Sequence, residues 1–323
     1  MKTLWSLRWQ FRLMAKKRGP GWVAAGLLLA ATASVGRGTV IDYESYVLAN
    51  SGTNGIRNFY TFAGTIVSQR QADKAGSANL SAVQFGTGST GSIQYPAGFT
   101  VGGVSSAALK PQAIGTANGA ALGITTDSFA WPTGSFTIET ILQPDATYAA
   151  RGFAVGALPG TVGLSYDSSR IFLVQQTSND IDVYAGTGSF AEANRTVVDN
   201  YPNPAPWYYV AVTYQNSGSN VVVNAWSANL SANGSLTQTV TNQSLPGNYL
   251  SFARPLGIGM AFDSTQPFPG LIDSVAIYSG SLAVPVMEAN LAQIYVVPEP
   301  SQGMLGGLAI LCAAAIKRAA RGR

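Results

Sequence analysis

The residue types that could carry out chemistry are few in this chain. Its 323 residues include no histidine and one cysteine, Cys312. The sequence therefore excludes a Ser/His/Asp triad, a Cys/His pair and a zinc site built from histidine or cysteine. Carboxylates, hydroxyls, amides and a few lysines and arginines remain. An all-oxygen site for a hard cation such as calcium is compatible with that set, whereas no other cofactor is expected.

Asp273 is the most unusual carboxylate because it stands among apolar residues, between Ile272 and Val275. A buried carboxylate is costly unless it is paired or hydrogen-bonded. One interpretation is a structural hydrogen bond to a neighbouring loop. The alternative is a calcium site that Asp273 shares with Asp263 on the preceding loop, although calcium prefers about six to eight oxygen ligands.

A second pair of carboxylates, Asp180 and Asp182, lies two residues apart in a predicted strand and shares one face of it. Two neighbouring carboxylates can serve acid/base chemistry. Because Ile181 and Val183 occupy the other face, the pattern is typical of an amphipathic strand with a solvated side. We expect no catalysis from this pair.

Aromatic side chains are the candidates for sugar binding, since a ring face can stack on the C–H groups of a sugar. The sequence offers Trp131, Trp226 and Tyr249 as ligand-binding residues. Trp226 shares a strand face with Val222 and Asn224, and that face could lie on either side of a sheet. Partial burial under a loop is the alternative interpretation for this indole.

The elements that must position these side chains are short strands. Runs of β-branched and aromatic residues alternate with turns rich in Gly, Asn and Ser. Strands are predicted at residues 136–142, 152–155, 170–175, 181–184, 207–214, 220–226, 256–260 and 271–278. Many short strands without long helices between them favour an all-β sandwich.

Two patterns refine this prediction. Both faces of the strand at 207–214 are apolar, which indicates a central strand and a core position for Trp207. Near the end of the chain, Pro285 suits a first helical turn. Met287, Leu291 and Ile294 follow with helical spacing, so we expect a short C-terminal helix that packs on the sandwich.

The N-terminal end predicts a targeting segment. Residues 1–33 combine six basic residues with an apolar run and an Ala31-Thr32-Ala33 cleavage pattern, as in a secretory signal peptide. A permanent membrane helix is the alternative, although an apolar run of about 15 residues is short for one.

The C-terminal end, residues 297–323, contains Pro298-Glu299-Pro300, then an apolar run, then four basic residues. This order resembles the PEP-CTERM sorting signal of Gram-negative bacteria. The resemblance implies export across the inner membrane, processing by an exosortase, and a location at the cell surface, in the outer membrane or in the extracellular matrix. The precursor would engage the membrane through hydrophobic helices at both termini.

The net charge of the domain between the two terminal segments differs in sign from that of the whole chain. Ten of the 19 basic residues lie in the two terminal segments, whereas 14 of the 15 acidic residues lie in residues 34–296, which therefore carry a net charge of −5. The basic character of the whole chain belongs to the targeting segments. Nucleic acid is excluded as a partner on this ground.

Three blocks of the remaining domain carry a family resemblance. SFTIE at 135–139 resembles the opening strand of laminin G-like jelly-roll domains, the concanavalin A-like sandwich. WYYVAVTY at 207–214 resembles a middle strand of that family, and LIDSVAIY at 271–278 its closing strand. The blocks cover residues 134–296 well, and NFYTF at 58–62 is a plausible first strand. We therefore assign residues 34–296 to one jelly-roll domain of two antiparallel sheets.

The resemblance implies two classes of function. Glucanases of this sandwich carry an E-x-D-x-x-E pattern on one strand face, and the chain has no such pattern. The sequence therefore favours a non-enzymatic surface or matrix protein that mediates adhesion or binds polysaccharide. A carbohydrate-active hydrolase with an unfamiliar carboxylate set is the alternative.

Overall fold

The computed structural model describes most of the region between the two targeting segments as β-structure. The described residues are 40–85, 88–101, 104–114, 118–124, 129–132, 134–147, 152–157, 169–187, 193–217, 220–246, 256–260 and 267–295. Within each of the two large sheets, the strands of every described ladder pair antiparallel. This architecture confirms the predicted all-β, concanavalin A-like sandwich.

One sheet has six strands. Their order across the sheet is β1 (Ile56–Thr61), β16 (Leu271–Ser279), β7 (Ser135–Gln143), β12 (Tyr208–Ser217), β13 (Asn220–Asn229) and β14 (Thr237–Pro246). In its register Tyr209 lies opposite Ile141 on one side and Ala228 on the other. The strand predicted at 207–214 is therefore a central strand, as its two apolar faces indicated.

The other sheet has eight strands. Their order is β11 (Ala193–Val198), β10 (Asp180–Thr187), β9 (Ser169–Thr177), β8 (Gly152–Ala157), β15 (Leu256–Ile258), β6 (Asn118–Ile124) and β2 (Ser81–Phe85), and β5 (Gln112–Ile114) also pairs with β6. A separate two-stranded hairpin consists of β3 (Ala97–Val101) and β4 (Val104–Ala107). β1 is a strand of the six-stranded sheet, and β2, β5 and β6 are strands of the eight-stranded sheet. The described residues from 56 to 124 that form these strands therefore belong to the same sandwich.

The main core lies between the two large sheets. The six-stranded sheet contributes Ile138, Val210 and Val212, which are fully buried. The eight-stranded sheet contributes Val174 and Ile258 on the facing side. Alternate positions of each strand therefore fill one apolar layer, as the period of two requires.

A second layer covers the outer face of the six-stranded sheet. It contains α1 (Val40–Ala49) and α4 (Val284–Tyr295), whereas α2 (Ser51–Asn54) and α3 (Val67–Arg70) are single turns. Met287, Leu291 and Ile294 of α4 are buried in a cluster with Tyr209 and Tyr278 of the sheet. The predicted C-terminal helix and its apolar face are confirmed, while α1 was not foreseen.

The predicted hydrophobic helices of the two termini lie outside the described residues. Within the part that the structure describes, no helix is both long and apolar enough to span a membrane. The domain boundaries at residues 33/34 and 296/297 stay predictions.

Candidate functional site

Loops at one end of the sandwich border an open cavity of about 220 Å³. β7 ends there, and its neighbours β12 and β16 begin there because antiparallel strands run in opposite directions. The cavity lies between residues 143–146, residues 203–205, residues 269–271 and Lys110. Loops that a rigid sandwich positions in this way are the usual location of binding sites.

Partly buried hydrogen bonds and one close approach hold these loops in place. Gln143 Nε2 donates to the carbonyl oxygen of Ala205 at 2.8 Å. Buried Gln176 accepts from the backbone N–H of Asp145 at 3.0 Å and donates to its carbonyl oxygen at 2.7 Å. A Cβ atom at Gly270 would lie 2.1 Å from the carbonyl oxygen of Gln143, so glycine is required at that position. The cavity walls are therefore preformed.

The cavity wall combines apolar rings with polar side chains. Its apolar surface includes the prolines Pro144, Pro204 and Pro269. Its polar side chains are Lys110, Gln143, Asp145 and Asn203. A ligand with C–H faces and a rim of hydroxyl groups matches this mixture, because apolar contact and a few placed hydrogen bonds fix such a ligand.

Asp145 is the only carboxylate among the described residues that line the cavity. Its Oδ1 atom accepts from the backbone N–H of Thr147 at 2.9 Å and from Thr147 Oγ1 at 2.6 Å. Within the described residues, Oδ2 accepts no hydrogen bond and Asp145 forms no ion pair. One oriented, charged acceptor is thus available to a ligand, and hydrogen bonds to charged acceptors are the stronger ones.

A second polar cluster, the Glu139 cluster, lies under the helices on the outer face of the six-stranded sheet. It consists of Glu139, Tyr43, Tyr209, Tyr278 and Asn290. Tyr209 donates to Glu139 Oε1 at 2.5 Å, and Tyr278 donates to Oε2 at 2.8 Å. Tyr43 donates to Oε2 at 3.3 Å, and Asn290 Nδ2 donates to both oxygens at 3.0 Å.

Burial dominates the electrostatics of the Glu139 cluster. Removal from water raises the pKa of Glu139, and the hydrogen bonds from the three tyrosines and Asn290 oppose that rise. Burial also raises the pKa of Tyr43, Tyr209 and Tyr278 well above the ordinary value, so that each phenol remains a donor. The cluster is inaccessible to a ligand, since Glu139 and Asn290 are fully buried. Through Tyr43 and Asn290 the cluster connects two helices to the sheet.

Sequence reasoning gave Glu139 no role although the residue lies in the block SFTIE. The signal was present: Glu139 stands in a strand with apolar residues on both faces, the same pattern that drew attention to Asp273. A carboxylate in such a strand must find several donors.

Comparison with known proteins identifies the family. A sequence profile described as the concanavalin A-like lectin/glucanases superfamily matches residues 117–285, which is just over half of the chain. The chain belongs to this superfamily. No curated protein gives a significant match.

Several solved structures are similar to this superfamily member at low sequence identity. Domain 4 of AbnA, an extracellular arabinanase of Geobacillus stearothermophilus in complex with arabinotriose, is 14% identical with a TM-score of 0.48, over 75% of this chain and 97% of that chain. A botulinum neurotoxin type C structure, whose title names interaction with two ganglioside molecules, is 14% identical with a TM-score of 0.47, over 76% of this chain and 52% of that chain. A Ruminococcus gnavus sialidase CBM40 bound to sialyllactose is 13% identical with a TM-score of 0.36. The match covers 56% of this chain and 95% of that chain. The chain thus spans about half of the neurotoxin chain.

The two tryptophans that the sequence offered as sugar platforms are buried in this concanavalin A-like sandwich. Trp131 is 1% exposed and lies between Phe129 and Phe136 in the main core, with ring centroids 5.1 and 5.6 Å away. Trp226 is 7% exposed and belongs to the cluster under the helix layer. Neither indole presents a ring face to solvent, so both have packing roles. Trp207, expected in the core, is half-buried and packs edge-on against Phe99 at 6.1 Å.

Asp273 anchors the β3–β4 hairpin to the six-stranded sheet. Its Oδ2 atom accepts from the backbone N–H of Phe99 at 2.9 Å and from Ser106 Oγ. A Cβ atom at Gly98 would collide with the same oxygen, so the hairpin passes close to the carboxylate only because it has a glycine there. This contact is the structural hydrogen bond that the sequence offered as its first interpretation.

The calcium alternative lacks a set of ligands in the part of the chain that the structure describes. No three Asp, Glu, His or Cys side chains converge there as a metal site. Asp263, the expected partner of Asp273, lies outside the described residues, as does Tyr249. Calcium binding stays a prediction that a binding experiment must test.

Asp180, one of the pair considered for catalysis, and its neighbour Asp199 both hydrogen-bond to Asn200. Asp180 accepts from the backbone N–H of Asn200 at 2.9 Å, and Asp199 accepts from Asn200 Nδ2 at 2.7 Å. Asp182 is 2% exposed, so the face that it shares with Asp180 is not the solvated face that the sequence indicated. The alternation with Ile181 and Val183 is correct, since both lie in the main core.

The predicted sorting and cleavage residues belong to the two terminal segments. Ala31 and Ala33 of the predicted signal peptide lie outside the described residues. Pro298, Glu299 and Pro300 of the predicted sorting motif also lie outside them. Export and exosortase processing therefore stay predictions from the sequence.

Proposed function

We propose that this protein is an exported, non-enzymatic surface or matrix protein that binds polysaccharide through the cavity at the end of its sandwich. The observation that carries the proposal is the chemistry of the cavity wall, where proline rings lie beside Lys110, Asp145 and Asn203. Proline C–H surface can contact the apolar face of a sugar, while the charged and amide groups accept from or donate to its hydroxyls. Adhesion to a glycan would follow from this binding.

One further observation, the number of carboxylates in the cavity wall, supports binding over hydrolysis. The superfamily contains both lectins and glucanases, so the fold leaves the choice open. A glycosidase needs two carboxyl groups about 5 to 10 Å apart on either side of the scissile bond. Among the described residues, the cavity wall contributes one carboxylate, Asp145. A single carboxylate suffices to orient a ligand.

The targeting segments supply the location. The signal peptide at residues 1–33 would bring the chain to the export machinery. The sorting signal at 297–323 would deliver it to an exosortase. The acidic domain between them would then meet polysaccharide at the cell surface, in the outer membrane or in the extracellular matrix.

Replacing Asp145 by asparagine weakens glycan binding by about tenfold or more, because a hydrogen bond to a charged acceptor is lost while Thr147 keeps an acceptor at the amide oxygen. The ligand is first found by applying the purified protein to a glycan array, with calcium and with a chelator. The Kd of the strongest hit is then measured by calorimetry for both proteins. Asp199→Asn is the matched control, since Asp199 is an exposed carboxylate that does not line the cavity.

The outcomes separate the candidate functions. Equal Kd values for D145N and the parent protein would remove the cavity from the proposal, and an array without hits would favour a purely structural coat protein. Release of new reducing ends from the bound glycan would favour the hydrolase alternative. Binding that disappears with the chelator would support the calcium prediction.

A further inference from the structure

The two helices of the outer layer share one buried hydrogen-bond acceptor. Tyr43 of α1 donates to Glu139 Oε2 at 3.3 Å. Asn290 of α4 donates to both oxygens of Glu139 at 3.0 Å. Glu139 itself lies on β7, an inner strand of the sheet. Each helix therefore contributes a polar contact to the same carboxylate, from opposite ends of the described chain.

These contacts depend on the exclusion of water. Glu139 and Asn290 have no exposed surface, and Tyr43 is 1% exposed. Inside a protein a hydrogen bond to a carboxylate is stronger than in water, because the surroundings screen charge poorly. If either helix leaves the sheet, water reaches Glu139 and replaces the departed donor. The bond from the remaining helix then becomes a solvated bond of small net value.

Apolar packing places the helices in the same cluster. Val47 of α1 and Met287, Leu291 and Ile294 of α4 lie in the second hydrophobic cluster together with Tyr278 of the sheet. Packing of this kind holds each helix on the sheet. The two helices also contact each other directly. The shared carboxylate adds a polar dependence of one helix on the other to that contact.

We propose that Glu139 couples the docking of α1 and α4, so that the two helices associate with the sheet and leave it as one unit. A partner or protease that captures either helix would then free the other as well. Since α1 and α4 are the first and last described elements, the coupling joins the two ends of the described chain. Release of the pair would also uncover the apolar outer face of the six-stranded sheet.

Native-state hydrogen exchange on the full-length protein tests this coupling. Asn290→Ala removes the α4 donor, and we expect the amides of α1 to exchange about tenfold faster although Asn290 belongs to the other helix. Tyr43→Phe removes one hydroxyl and keeps the ring, and we expect a similar acceleration in α4. The two effects should be of comparable size because a coupling free energy is reciprocal.

Leu291→Ala is the control, since it weakens the packing of α4 without touching the carboxylate. It should accelerate exchange in α4 and change α1 less than Asn290→Ala does. The proposal is overturned if the exchange rates of the α1 amides do not change in N290A. It is also overturned if L291A and N290A, at the same loss of protection in α4, accelerate exchange in α1 equally. If N290A does not fold, the response of α4 amides to Tyr43→Phe decides alone, because that variant removes a single oxygen atom.

Discussion

Replacing Glu139 by alanine lowers the free energy of unfolding by at least about 3 kcal/mol. The substitution leaves the hydroxyls of Tyr43 and Tyr209 without their buried acceptor and opens a cavity beneath the helices. Asn290 retains one partner, because its Nδ2 atom also donates to the Tyr278 hydroxyl at 3.3 Å. Relief of the carboxylate's own desolvation offsets part of the loss. Denaturant titration measures the change, and a fall in Tm of about 6 to 12 °C should accompany it.

Glu139→Gln is the matched variant for this prediction. Glutamine has the same shape, keeps one acceptor oxygen and avoids the burial of a charge. We expect a loss of less than about 1.5 kcal/mol, because the tyrosine hydroxyls can rotate to accept from the new amide group. An E139A protein as stable as the parent would mean that the cluster does not hold the helices. A loss in E139Q as large as in E139A would mean that the negative charge, and not the acceptor geometry, carries the stabilisation.

The strand at 207–214 illustrates how far the sequence alone reaches. Its period of two assigns Tyr208, Val210 and Val212 to one face and Tyr209 and Ala211 to the other, and the structure places these sets in the two separate clusters. Alternation depends only on residues next to each other in the strand, so it can be recognised without knowing which strands pair. The strand at 271–278 was predicted through the family resemblance, whereas the order of the strands in the two sheets was not predicted.

The local sequence pattern did not indicate which face of a strand is covered by the helix layer. Trp226 and Asn224 share a face, and nothing within the strand states that a helix layer lies over part of it. The Glu139 cluster likewise joins residues that are 96 and 151 positions apart in the chain. The candidate cavity forms where three separate loops meet. Each of its prolines lies in a different loop, so the sequence indicates turns there and does not indicate a common site. Contacts of this range are set by topology and not by the residues next to them in the chain.

The free energy of unfolding should fall by about 2 to 3 kcal/mol when the pH rises from about 5 to about 8, through the titration of Asp273. Burial raises the pKa of Asp273 to about 7, and the bonds from Ser106 and the Phe99 amide oppose that rise. A carboxyl whose pKa is raised on folding binds its proton more tightly in the folded state. Its contribution is therefore complete below the unfolded pKa of about 3.9 and is lost as the pH passes through 7. Glu139, whose pKa is raised as well, acts in the same direction.

Asp273→Asn isolates this contribution because asparagine is neutral at every pH and keeps an oxygen for the Phe99 amide. We expect its unfolding free energy to vary less with pH than that of the parent protein, so that the two curves converge at low pH and separate above pH 7 in favour of the variant. Hydrogen exchange at the Phe99 amide supplies a local measurement, since ionisation of Asp273 should loosen the β3–β4 hairpin before the sandwich opens. If the unfolding free energies of the two proteins vary with pH in parallel, Asp273 takes up no proton on folding. In that case its pKa would not change on folding, and the hydrogen bonds from Ser106 and Phe99 would offset the cost of burying its charge.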